Sequence, residues 1–125
     1  MENTNQLSYF KGEDHPALIN ETIGQRLADT VARFPDHDAL IVRHQGIRWT
    51  YAEFRRQVDR LATGLLALDI QPGDRVGVWG PNSYEWVLTQ LTTARIGAGS
   101  AGSGAGGPAG SERLADRDIA VTSNP

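Results

Sequence analysis

Residues 75–79, Arg-Val-Gly-Val-Trp, lie between two turns and just ahead of a helix, and no other stretch restricts the fold of this chain so strongly. Gln71-Pro72-Gly73-Asp74 and Gly80-Pro81 are the turns. Asn82 followed three positions later by Glu85 has the form of a capping box and predicts a helix opening at Asn82. The run between the turns is too short and too apolar to be solvated on both faces. It is therefore predicted to be an inner strand of a mostly parallel sheet, with the helix laid across it. Turn, strand, turn and helix make half of a βαβ crossover, and the partner strands are expected from elsewhere.

The preceding chain divides by period and punctuation. Residues 1–20 are polar, broken by Gly12, His15 and Pro16, and read as an arm along the surface. Thr22 with Gln25 predicts a helix start, and Ile23, Leu27, Val31 and Phe34 then share one face while Arg26, Asp29 and Arg33 point away. Pro35 ends that helix. Residues 39–42 (ALIV), a turn at 43–46 (RHQG) and residues 47–50 (IRWT) predict a hairpin with Ile47 and Trp49 on one face. Thr50 with Glu53 caps a second helix, whose stripe is Phe54, Val58, Leu61, Leu65 and Leu68.

Charge and composition exclude several function classes. Twelve basic against 15 acidic residues give a net charge of -3, which makes no electrostatic case for nucleic acid or an anionic membrane. The absence of cysteine excludes disulfides and thiolate metal sites. No apolar run approaches the roughly 20 residues of a membrane span, and the polar start MENTNQ lacks signal-peptide character, so a cytoplasmic location is expected.

Candidate site residues thin out on inspection. Asp36-His37-Asp38 are adjacent and do not share a face, so they cannot supply the three or four converging ligands of a metal site and read as a loop. His15 and His44 have no partners at ligand spacing. Asn20-Glu21-Thr22 fits a glycosylation sequon by chance. Arg55, Arg56 and Arg60, with Asp59, read as a solvated helix face rather than a phosphate site. Residues 97–102 and 102–107 both fit GxGxxG, but a dinucleotide site needs that pattern between a strand and a helix. The first follows a helix and the second lies in low complexity.

The ordered run WTYAEFRRQVDRLATGLLALDIQPGDRVGVWGPNSYEWV, residues 49–87, resembles the early part of the adenylate-forming acyl-CoA synthetases, and residues 22–50 agree with it. The likeness covers roughly residues 20–98 and is nearest to the medium- and long-chain fatty-acid members. It implies a parent that activates a carboxylic acid with ATP and Mg and passes the acyl group to CoA. It also implies a phosphate loop rich in Ser, Thr and Gly and ending in Pro-Lys, later acidic nucleotide motifs, and a lysine in a small carboxy-terminal domain. None of these has a counterpart here: the one lysine, Lys11, lies in the arm. No catalytic, cofactor-binding or metal residue is carried over. Family members are several times longer than this chain.

From Gly99 the composition changes, and residues 99–110 contain only Gly, Ser, Ala and Pro. Such side chains bury too little to offset lost backbone freedom, so a disordered tail over residues 99–125 is expected. Truncation, a frameshift or a deletion would produce this junction after Ala98. The expected organisation is an arm (1–20), an incomplete amino-terminal part of an AMP-binding domain (21–98) and the tail. The fold class is α/β, in the order helix, hairpin, helix, strand, helix. The expected function is an inactive piece of an acyl-CoA synthetase, with substrate binding unlikely in isolation and self-association through an exposed sheet edge. A non-catalytic module that docks on a full-length synthetase is the alternative. A self-contained small enzyme lacks any visible nucleophile, acid-base pair or phosphate loop.

Overall fold

The structure is a computed structural model and describes residues 10–103 and 119–122. Its elements are α1 (Ile23–Arg33), β1 (Asp38–Val42), a 3-10 turn (Arg43–Gln45), β2 (Ile47–Thr50), α2 (Tyr51–Ala67), β3 (Arg75–Trp79), α3 (Tyr84–Ile96), β4 (Gly99–Ser103) and β5 (Ile119–Thr122). Strands β1 and β2 form an antiparallel hairpin, whereas β3 lies between β4 and β5 in a parallel sheet.

Both predicted boxes form. Thr22 Oγ1 accepts from the Gln25 N–H at 3.2 Å while Gln25 Oε1 accepts from the Thr22 N–H at 3.0 Å. Thr50 and Glu53 repeat this at 3.2 and 2.9 Å. Each box satisfies two donors that a helix start leaves open, worth about 1 kcal/mol per cap. The hairpin is as predicted, with Leu40 opposite Trp49 and Gly46 left-handed (φ 65°) at the turn.

The core has two parts. Phe54, Val58 and Leu88 are buried together, with Leu27, Leu40, Trp49 and Tyr84 packed around them. Leu65, Ile70, Val76 and Ala98 form the second, which pins the end of α2 to the start of the sheet. Trp49 stacks on Phe54 at 6.4 Å and meets Tyr84 edge-on at 5.2 Å, so three elements share one aromatic contact set.

Four expectations need correction. First, α3 starts at Tyr84 behind Ser83, not at Asn82, and its cap comes from another element. Second, Leu68 leaves the α2 stripe. The helix stops at Ala67, Asp69 turns left-handed (φ 62°), and Leu68 is 63% exposed while Ile70 takes the core position. Third, chain expected to be without order supplies strands: Gly99–Ser103 and Ile119–Thr122 both pair with β3. The rest of the predicted tail, residues 104–118 and 123–125, lies outside the described residues. Fourth, β3 finds its neighbours within the chain, so β3, α3 and β4 complete the crossover, and among the described residues the sheet edges fall on β4 and β5.

Backbone hydrogen bonding explains why so plain a segment as Gly99–Ser103 aligns here. The Gly73 N–H donates to the Gly97 carbonyl at 2.8 Å, and the Gly99 N–H to the Asp74 carbonyl at 2.8 Å. Where α3 ends, the chain is already stitched to the turn that begins β3. A strand leaving that point in register needs no side-chain packing to direct it.

Candidate functional site

Polar chemistry collects at opposite ends of α3. At the amino end, the Gln45 side chain reaches over from the 3-10 turn, 39 residues earlier in the chain. Its Oε1 accepts from the Tyr84 N–H at 2.8 Å and its Nε2 donates to Glu85 Oε2 at 3.0 Å. Gln45 thus caps α3 from outside, both ends of its amide in use. Burial acts to raise the Glu85 carboxyl, but the Gln45 amide and the residue's own backbone N–H outweigh it and hold the group below its ordinary 4.5. Burial, and then the Glu85 charge, push the Tyr84 phenol up, so it stays protonated. Ser83 is extended (φ −154°) and buried at the start of the helix.

At the carboxyl end, Asp59 of α2 accepts from Arg55 Nε at 3.1 Å and from Arg95 Nε of α3 at 2.8 Å. This carboxylate ties the two helices across an open groove of about 470 Å³ lined by Asp59, Ala62, Thr63, Leu66, Arg95 and Ile96. The arginine face predicted as solvated is therefore partly an interhelical ion cluster, and the signal for it, an acid four residues after Arg55, was visible. Arg95 was not foreseeable as the third member, because only the packing of α3 on α2 brings it there.

The other singled-out residues scatter. Asp38 opens β1 and pairs with Arg48 at 2.6 Å across the hairpin. His37 packs its ring edge against Phe34 at 5.3 Å. His15 and His44 are exposed. Among the described residues no group of three His, Asp or Glu converges as metal ligands. Gly97 ends α3 and Gly99–Gly102 lies in β4, so the first GxGxxG runs from helix to strand, the reverse of a dinucleotide loop. Asp59 and Glu85 are each taken up by structural partners. What the described clusters do chemically is hold elements together.

Comparison with known proteins places this scaffold. The family described as AMP-binding enzyme matches residues 27–109. The medium-chain acyl-CoA ligase ACSF2, mitochondrial, of Mus musculus is 48% identical over 91 residues, 73% of this chain but 15% of that protein; its Homo sapiens counterpart is 47% identical over the same span. Among solved structures, a Mycobacterium tuberculosis fatty acyl CoA synthetase superposes with a TM-score of 0.64 and 31% identity, over 67% of this chain and 17% of that one. The Klebsiella oxytoca NpsA N-terminal subdomain superposes at 0.63 with 28% identity, over 70% and 22%. The chain thus spans about 15% of the length of the curated relatives it matches. With a family match over most of its residues and the α/β scaffold of these synthetases, the chain belongs to the AMP-binding enzymes.

Proposed function

We propose that this chain is an amino-terminal scaffold piece of an ATP-dependent acyl-CoA synthetase and does not form adenylate on its own. The parent reaction would convert a fatty acid, ATP and CoA to acyl-CoA, AMP and diphosphate, with Mg on the nucleotide. One observation carries the reading: 48% identity to a medium-chain acyl-CoA ligase over 91 residues that amount to 15% of that ligase. The use of the available polar groups supports it. Lys11, the one lysine of the sequence, pairs with Asp14 at 3.0 Å in the arm, and the carboxylates of Asp59 and Glu85 are held by arginines and by Gln45. A cytosolic location belongs to the same reading and is checked by fractionating cells that express the tagged chain.

ATP–pyrophosphate exchange with a panel of short- to long-chain fatty acids tests the proposal. Purified chain is expected to give no exchange above a protein-free blank; exchange that tracks chain concentration would overturn it. Docking on a full-length synthetase is a second reading, favoured by the sheet edges at β4 and β5 and by a half-covered α1. Co-purification with a full-length relative at stoichiometric yield would establish it.

A further inference from the structure

Residues 10–22 form neither helix nor strand ahead of α1, and their apolar side chains stand in water, Leu18 at 96% exposure and Ile19 at 62%. The segment is tethered at a particular place. The box at Thr22 fixes where α1 begins, and Gly24 brings its first turn against the end of α3, where a Cβ on residue 24 would lie 3.4 Å from Arg95 Cα. Arg95 is also a wall of the open groove between α2 and α3. The arm therefore swings from the groove's rim. Leu18 is six residues from Gly24, a reach of up to roughly 20 Å when extended.

Groove and arm also match in chemistry. Leu66, 55% exposed, and Ile96 give the groove an apolar wall. Around it stand Arg55 and Arg95, both held by the groove's Asp59, while Arg56 and Arg60 are exposed along α2. Against these the arm carries Glu13, Asp14 and Glu21 and a single cation, Lys11; Asp14 is engaged with Lys11, and Glu21 lies 3.9 Å from Arg26 of α1. We propose that residues 10–22 form a strap that closes over the α2/α3 groove and seats Leu18 against Leu66 and Ile96. Closure takes apolar surface from both sides out of water. The short tether keeps the local concentration of Leu18 high at the groove, and the exposed Arg56 and Arg60 beside it attract the acidic arm. The strap would clasp the start of α1 to the end of α2, a junction now bridged by neither core cluster, and the inference does not depend on any catalytic role.

The chain contains no cysteine, so an introduced pair is the only pair of thiols present. Leu18→Cys with Leu66→Cys is compared with Leu18→Cys and Ile41→Cys. Ile41 is an exposed residue of the hairpin, whose Gln45 sits at the far end of α3 from Arg95, about 16 Å away along the helix. The first pair is expected to close an intramolecular disulfide at least about tenfold faster than the control under mild oxidation, read on non-reducing gels. Equal rates would overturn the strap. Should Leu66→Cys impair folding, a nitroxide on Ala17→Cys, a substitution in the exposed arm, reports on the otherwise unaltered chain. Broadening of the Leu66 and Ile96 methyl signals beyond that of Ile41 supports closure, and equal broadening refutes it.

Discussion

Thr89, Thr92 and Thr93 are among the most buried side chains of the molecule, though none is apolar. Thr92 Oγ1 donates to the Leu88 carbonyl at 2.6 Å and Thr93 Oγ1 to the Thr89 carbonyl at 2.9 Å, which is how a threonine hides its hydroxyl inside a helix. Thr89 Oγ1 has no such partner among the described residues. A buried unpaired hydroxyl carries its full desolvation cost, so Thr89→Val, close in shape, is expected to stabilise the chain by roughly 1–2 kcal/mol. Thr92→Val exchanges a formed bond for a methyl and is expected to be near neutral; chemical denaturation of both variants gives the comparison. Glu85 contributes at the same scale through pH. Its folded carboxyl lies below the ordinary 4.5, so the stability it adds is complete above that value and is lost as pH falls through the lowered one. Glu85→Gln is expected to lower Tm at neutral pH and to flatten the acid limb of a Tm-against-pH curve below about pH 4.5, so that the two curves converge at low pH.

Helices show how far sequence could be read and where it failed. The regular spacing of Phe54, Val58 and Leu65 announced α2, and Thr22 and Thr50 announced both formed boxes, because these signals are local. The cap of α3 was hidden, since Gln45 lies 39 residues away and only the folded hairpin delivers it. The end of α2 was hidden differently. The Asp69 N–H bonds to the Leu66 carbonyl at 3.0 Å and the Ile70 N–H to the Leu65 carbonyl at 3.2 Å, a closure that normally advertises itself with glycine but here uses an aspartate at φ 62°. Leu68 therefore extended the apparent period past the true stop. Two glycines provide matched tests. Gly64 lies within α2 with open space where a Cβ would go, so Gly64→Ala is expected to gain about 0.5–1 kcal/mol. Gly97 is left-handed (φ 79°), and a Cβ there would touch Pro72 at 3.4 Å, so Gly97→Ala is expected to cost about 1–2 kcal/mol. Thermal denaturation of the pair should move Tm in opposite directions.

For the whole molecule, the distribution of exposed apolar surface sets behaviour in solution. Helix α1 keeps Ile23 62% exposed, Phe34 just past its end is partly so, and β3 leaves Trp79 in contact with water. Strands β4 and β5 each pair with β3 on one side, and β4 reads Gly-Ser-Ala-Gly-Ser, with none of the charges or prolines that protect an edge. Concentration-dependent self-association is expected, with light scattering after size exclusion showing mass above 13.6 kDa as loading rises. In whatever monomer remains, the amides of Val76 to Trp79 should exchange slowly, because β3 is paired along both sides. What sequence could not provide at this scale was the pairing of a plain Gly/Ser segment, which carries no side-chain signal and is directed by backbone contacts at its start. Those contacts also bear on biosynthesis. The turn at Gly73 and Asp74 is completed by Gly97 and Gly99, some two dozen codons downstream, so on the ribosome the entry to the sheet must wait, unfinished, until the helix that follows it has emerged.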